Sequence, residues 1–211
     1  MRTLLLAAAT ATLALAAAPA LAQSVYDDTW YRAPYWSGEY PGGFSVVRTT
    51  TVQLRPVIDA AAERTVACEL PQGATYQAWN VRRAEEQALA FTSFTKIADY
   101  KMKESFEATV YRHDDGAETQ LALMEGDTWR YLVYFAEGTF LMEYGGVQYD
   151  GNQDLFEHAE QIGDTNGYEE WLRINCTNNQ WGWLFMGDIT LDDGTFIAPN
   201  ITGYGEAKDL E

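Results

Sequence analysis

Carboxylates dominate the residues that could do chemistry. Asp27-Asp28, Glu85-Glu86, Asp114-Asp115, Glu169-Glu170 and Asp192-Asp193 stand as adjacent acid pairs. Two carboxylates on one cleft, one of them with a raised pKa, are the machinery of glycoside hydrolysis. Neighbours along a strand point to opposite faces, however, so solvated turns are the expected role of these pairs. Nucleophilic catalysis needs a His beside a Ser or Cys. His113 precedes Asp114-Asp115-Gly116, which reads as a hairpin tip, and His158 sits in a possible helix. Asp150-x-Asn152-x-Asp154 begins like a calcium loop, but Leu155 replaces the glycine at its sixth position and Gln161 the glutamate at its twelfth. Gly145-Gly146 lacks the Lys and the helix of a phosphate loop. The expectation is therefore no catalytic set, no metal and no cofactor.

Cys68 and Cys176 are the only cysteines, and 108 positions separate them. Two histidines cannot complete a convincing zinc set with so wide a spacing. What they do depends on compartment. Met1-Arg2-Thr3, the Leu- and Ala-rich run to Ala18 and the small residues of Pro19-Ala20-Leu21-Ala22 have the order of a secretory signal peptide over residues 1–22. The run is too short for a membrane span, and no second run is long enough. An exported chain meets an oxidising compartment, periplasmic or extracellular, where a single Cys68–Cys176 disulfide is expected, two buried thiols being the alternative. Val66, Cys68 and Leu70 share one strand face, and so do Leu172, Ile174 and Cys176.

The elements that would hold these residues are β. Thr49–Leu54, Thr65–Leu70, Ala74–Trp79, Phe106–Arg112, Thr119–Met124, Thr128–Phe135, Thr139–Tyr144, Trp171–Cys176 and Trp181–Met186 read as strands, with Gly, Asn and Asp turns between them. Helices are expected over Asn80–Ala90 and Asp154–Ile162. Residues 23–44 form an aromatic-rich extended arm, with Tyr26, Trp30, Tyr31, Tyr35, Trp36, Tyr40 and Phe44. Its rings either pack on the body or offer a stacking platform for sugars or a partner. Leu70-Pro71-Gln72-Gly73 is echoed by Leu123-Met124-Glu125-Gly126, which suggests two modules, 45–108 and 109–190, followed by a tail at 191–211.

Those two x-x-Gly elements, with Trp171-Leu172-Arg173-Ile174, the turn over 175–180 and Gly182-Trp183-Leu184, resemble the Src-homology-3-like barrels of exported bacterial proteins. The fold expectation is all-β: one or two tandem small Src-homology-3-like barrels with short helical insertions. The resemblance implies a binding module directed at cell-wall peptides, glycans or envelope proteins.

Strand parity supplies the surface candidates. With Leu172, Ile174 and Cys176 inward, Trp171 and Arg173 face outward. With Trp129, Tyr131, Val133 and Phe135 inward, Arg130, Leu132 and Tyr134 face outward. Trp171, Arg173, Tyr134 and Arg130 are thus the expected ligand-binding set, unless the arm covers them. The chain of 211 residues carries 31 acidic against 14 basic side chains, a net charge of -17, which excludes binding to a nucleic-acid backbone. The same charge motivates an alternative function, the inhibition of a basic envelope hydrolase such as lysozyme.

Overall fold

The structure is a computed structural model. It describes residues 25–211 apart from 37, 41, 81, 84, 86–89, 164–166 and 204. The expected signal peptide and much of the helix expected over Asn80–Ala90 lie outside the described residues. In chain order the strands are β1 (Trp30–Ala33), β2 (Gly43–Val46), β3 (Thr50–Leu54), β4 (Val66–Leu70), β5 (Thr75–Gln77) and β6 (Ala90–Lys96). Then come β7 (Ala98–Met102), β8 (Phe106–Arg112), β9 (Glu118–Leu123), β10 (Thr128–Tyr134), β11 (Thr139–Tyr144) and β12 (Val147–Asn152). A short helix, α1 (Asp154–Glu157), precedes β13 (Ala159–Ile162), β14 (Tyr168–Asn175) and β15 (Trp181–Phe185). A 3-10 turn at Met186–Asp188 and the two-residue strands β16 (Phe196–Ile197), β17 (Ile201–Thr202) and β18 (Glu206–Ala207) end the chain. The protein is all-β, and no described helix is long and apolar enough to cross a membrane.

Two bodies carry this chain. In the first, the sheet β1-β6-β14-β15 packs with the small sheets β16-β2-β5 and β3-β4. Its core gathers Phe44, Leu54, Leu70, Tyr76, Leu172, Ile174 and Leu184 around Cys68 and Cys176. The cysteines are joined by a disulfide, with Cα atoms 5.2 Å apart. In the second, residues 98–162 form an open seven-stranded sheet ordered β13-β7-β10-β11-β12-β8-β9. Its core is Met102, Val110, Leu123, Trp129, Phe140, Met142 and Leu155. All strand pairing is antiparallel, and among the described residues no sheet closes into a barrel. These clusters part the chain elsewhere than at the expected modules 45–108 and 109–190. The seven-stranded sheet is an excursion from the first body, which the chain leaves after β6 and rejoins at β14. A smaller cluster of Ala33, Leu132, Val133 and Leu141 joins the two.

Local sequence explains the hairpins. Gly145 and Gly146 have φ of 59° and 78°. Tyr144 faces Val147 directly across that turn. A two-residue turn with both φ positive matches the right-handed twist of its strands, and glycine reaches it without strain. The helix expected over Asp154–Ile162 is corrected to α1 alone. Residues 159–162 pair instead with β7, whose edge offers hydrogen bonds that a one-turn helix cannot supply. The arm does pack: β1 pairs with β6, and Trp36 and Phe44 are buried.

The disulfide ties β4 to the residue just after β14, across 108 positions that include the whole excursion. Replacing both cysteines by Ala should lower stability by about 2–5 kcal/mol in urea unfolding. An unchanged midpoint would show that the first core holds β4 and β14 together without the bond.

Candidate functional site

The four expected site residues fall in different places. Trp171 and Arg173 lie on β14, on the face opposite to Leu172 and Ile174, as parity requires. Trp171 is nevertheless fully buried, which corrects its expected exposure. The arm covers it. Tyr26 Oη accepts a hydrogen bond from Trp171 Nε1 at 2.8 Å. Phe185 packs at 5.0 Å between ring centres, and the Arg55 guanidinium lies 5.7 Å above the indole. Arg173 lies 4.3 Å over the ring of Trp181, which stays 46% exposed.

Arg130 and Tyr134 share β10 but not a face. Tyr131 opposes Met142 and Val133 opposes Leu141, so Leu132 is an extra residue, a bulge. A bulge reverses the alternation beyond it. Arg130 therefore shares a face with Glu143, which it contacts at 3.1 Å. Tyr134 lies opposite Phe140, on the face of the second core. Leu132, expected outside, is buried between the bodies. Tyr134 is exposed, and its hydroxyl accepts a bond from the Gly138 amide at 3.0 Å.

Most acid pairs are turn residues. Asp193 Oδ1 accepts from the amides of Thr195 and Phe196 at 2.6 and 3.0 Å. Arg112 holds the Asp115 carboxyl down to about 2. His113 Nδ1 meets Asp150 at 2.7 Å, and His158 Nδ1 meets Glu104 at 2.8 Å. Asn152 Oδ1 accepts from the Asp154 amide at 3.0 Å. Among the described residues no group of three His, Cys, Asp or Glu gathers as a metal site.

Glu169-Glu170 is different. Glu170 has the parity of Leu172 and Ile174, so it points toward the first core, at the open end of β14. There a groove of about 350 Å³ is lined by Gly42, Gly43, Tyr168–Glu170, Phe185–Gly187, Ile189 and Leu191. Tyr168 donates its hydroxyl to Glu170 Oε1 at 2.8 Å. On the other side, a Cβ on residue 42 would lie 2.9 Å from Glu170 Oε2, so the bare glycine leaves the carboxylate its present position. Burial raises the Glu170 pKa above the ordinary carboxyl range, with the Tyr168 bond opposing it. Glu169 points to the other face, where it accepts a short hydrogen bond from Tyr26. Burial, and then Glu169, push the Tyr26 phenol up, so it remains a donor. The two acids are thus committed on opposite sides of one strand. Glu169 also borders the groove, but its carboxylate is held by Tyr26, so the groove offers the Glu170 carboxylate among mostly apolar walls, an arrangement that attracts a positively charged group with an apolar stem.

The acid pair is visible in the sequence, but its asymmetry needs parity: an acid on the core-facing set of a strand is the signal. The opposite wall, Gly42-Gly43 with Met186, Gly187, Ile189 and Leu191, comes from distant segments and has no local mark. Comparison with family models, curated proteins and solved structures finds no match for this chain.

Tyr26→Phe keeps the ring stacked on Phe94 but leaves the buried Trp171 Nε1 without its acceptor. The expected loss is about 1–3 kcal/mol in chemical unfolding. Glu170 gives a pH signature. Its raised folded-state pKa means the fold favours the protonated acid. That stability is full below the ordinary value of 4.5 and is lost as pH rises through the raised value. Glu170→Gln should therefore match the natural protein at pH 4 and melt higher at pH 7. Superimposed melting profiles at both pH values would contradict the assigned burial.

Proposed function

We propose that the protein is an exported, non-enzymatic binding module that grips a cell-envelope ligand by a positively charged group seated at Glu170. The observation that carries this reading is the half-buried Glu170 carboxylate among mostly apolar walls in the groove. An amine on a cell-wall peptide, or a Lys or Arg of an envelope protein, has the required charge and apolar stem. The divergence of Glu169 and Glu170 supports binding over hydrolysis, since a glycosidase needs both carboxyls on one cleft. The disulfide fits an oxidising compartment, periplasmic or extracellular. The Src-homology-3-like character belongs in this reading to the first body, whose small antiparallel sheets wrap one disulfide-bonded core. Of the expected set, Trp171 is buried, while Tyr134 and Arg130 reach the surface of the second body on opposite faces and Arg173 lies beside the exposed Trp181.

A second reading, an acidic inhibitor of a basic hydrolase such as lysozyme, is favoured by the net charge of -17. Such a charge speeds encounter with a basic protein and makes it salt-sensitive. Both readings use Glu170, so one experiment sorts them. The protein without residues 1–22 is passed over purified peptidoglycan and over immobilised lysozyme, at low and high salt, beside its Glu170→Gln variant. The first reading expects retention on peptidoglycan that persists in salt and falls at least about tenfold in the variant. Retention on lysozyme alone, lost in salt, would replace it with the second. Retention that ignores Glu170 would remove the groove from both.

A further inference from the structure

We propose a second binding site, built around Trp79, that takes the ring of a neutral sugar. Most aromatic residues of the arm are partly or wholly covered, but Tyr40 is 54% exposed, and Trp79 beside it is 38% exposed. Both rings rest on Gly205. A Cβ there would lie 2.4 Å from Trp79 Cζ3 and 3.0 Å from Tyr40 Cδ1. The bare glycine thus brings together two rings from segments that are far apart in the chain. Next to Trp79 a cavity of about 380 Å³ is lined by Asn80, Arg82, Glu206, Lys208 and Asp209.

The floor of this cavity is fixed before any ligand arrives. Asn80 is buried, and its Nδ2 donates to the Thr75 carbonyl at 3.0 Å and to Asp209 at 3.2 Å. Its Oδ1 accepts from the Arg83 amide at 2.9 Å. Asp209 also accepts from the Thr75 amide at 2.7 Å and from Arg83 at 2.9 Å. The Trp79 amide is held by Gln77 Oε1 at 2.9 Å. A ring held on so rigid a frame loses little freedom when it binds.

The chemistry selects the ligand. An aromatic face is electron-rich and attracts the C–H face of a pyranose. The hydroxyls around a sugar both donate and accept, so they need partners of both kinds, and Lys208 and Glu206 on the rim supply a donor and an acceptor, while Arg82 and Asp209 are already paired with each other. Two cations against two carboxylates leave the rim balanced, which favours a neutral ring over a charged ligand. The site shares no lining residue with the groove at Glu170.

Saturation-transfer NMR on the protein without residues 1–22 tests this, with tri-N-acetylchitotriose, cellotriose and maltotriose as separate probes and triglycine as the peptide comparison. At least one trisaccharide should receive saturation on its ring C–H protons. Trp79→Ala should weaken that binding at least about tenfold, as loss of a stacking ring does, and Trp79→Phe should restore part of it. Tyr40→Ala, at the more exposed ring, should also weaken it and serves if Trp79→Ala alters the melting profile. Glu170→Gln should leave it unchanged. No transfer to any trisaccharide at millimolar concentration overturns the proposal. So does binding that survives both ring variants, binding that Glu170→Gln abolishes, or a site that triglycine occupies in preference.

Discussion

A strand covered on both faces must find a partner for every polar atom it carries, and β14 is such a strand. Its inner face closes the core around the disulfide, and its outer face is roofed by the arm. Burying a carboxylate without a partner is costly, and both acids of β14 have one, whereas the guanidinium of Arg173 keeps a buried Nε without a hydrogen bond. Glu169 takes the Tyr26 hydroxyl, Glu170 takes Tyr168, and Arg173 lies on Trp181. The arm is held by the same bargain, since Tyr26 joins Trp171 to Glu169. Toward the start of β14 this double cover thins, and there Glu170 faces apolar walls with no cation paired to it among the described residues.

Few cations are available to a chain this acidic, and much of the basic charge is spent internally. Lys96 lies 5.3 Å from the ring of Trp30, and Arg32 lies 5.8 Å from that of Phe94. Arg55 stands over Trp171 and Phe185 while it also pairs with Asp188. Contacts of this kind are individually worth about 0.5–1 kcal/mol where exposed and more where water is excluded. Their collective effect is on the field outside. Cations laid on rings or paired with acids leave the remaining carboxylates to set the sign of the surface.

Much of the β architecture was legible in the residues. Each of the nine expected strands coincides with an observed one, because half-buried strands alternate and β-branched runs mark them. The strand β6 escaped notice for the opposite reason. Thr92, Ser93, Phe94 and Thr95 are all buried, so no alternation survives to be read. The bulge at Leu132 left no local mark either, and it undid the parity argument that set Arg130 beside Tyr134. Trp171 was placed on the correct face, yet only the arm, which folds back across 145 residues, shows that the face is roofed. Sidedness is a local property of a strand, whereas exposure depends on what the rest of the chain lays over it.

The seven-stranded sheet is attached to the first body at one place in the chain. Thr95 near the end of β6 and Tyr168 at the start of β14 are paired residues, and the Lys96 amide bonds to the Gly167 carbonyl at 2.8 Å. The excursion therefore departs and returns through one doorway. A short turn across that doorway would still complete β6 and β14, and the disulfide would then close a far smaller loop. The second body thus enters and leaves the first at a single point, and the groove at Glu170 and the cavity at Trp79 are both lined by residues outside it.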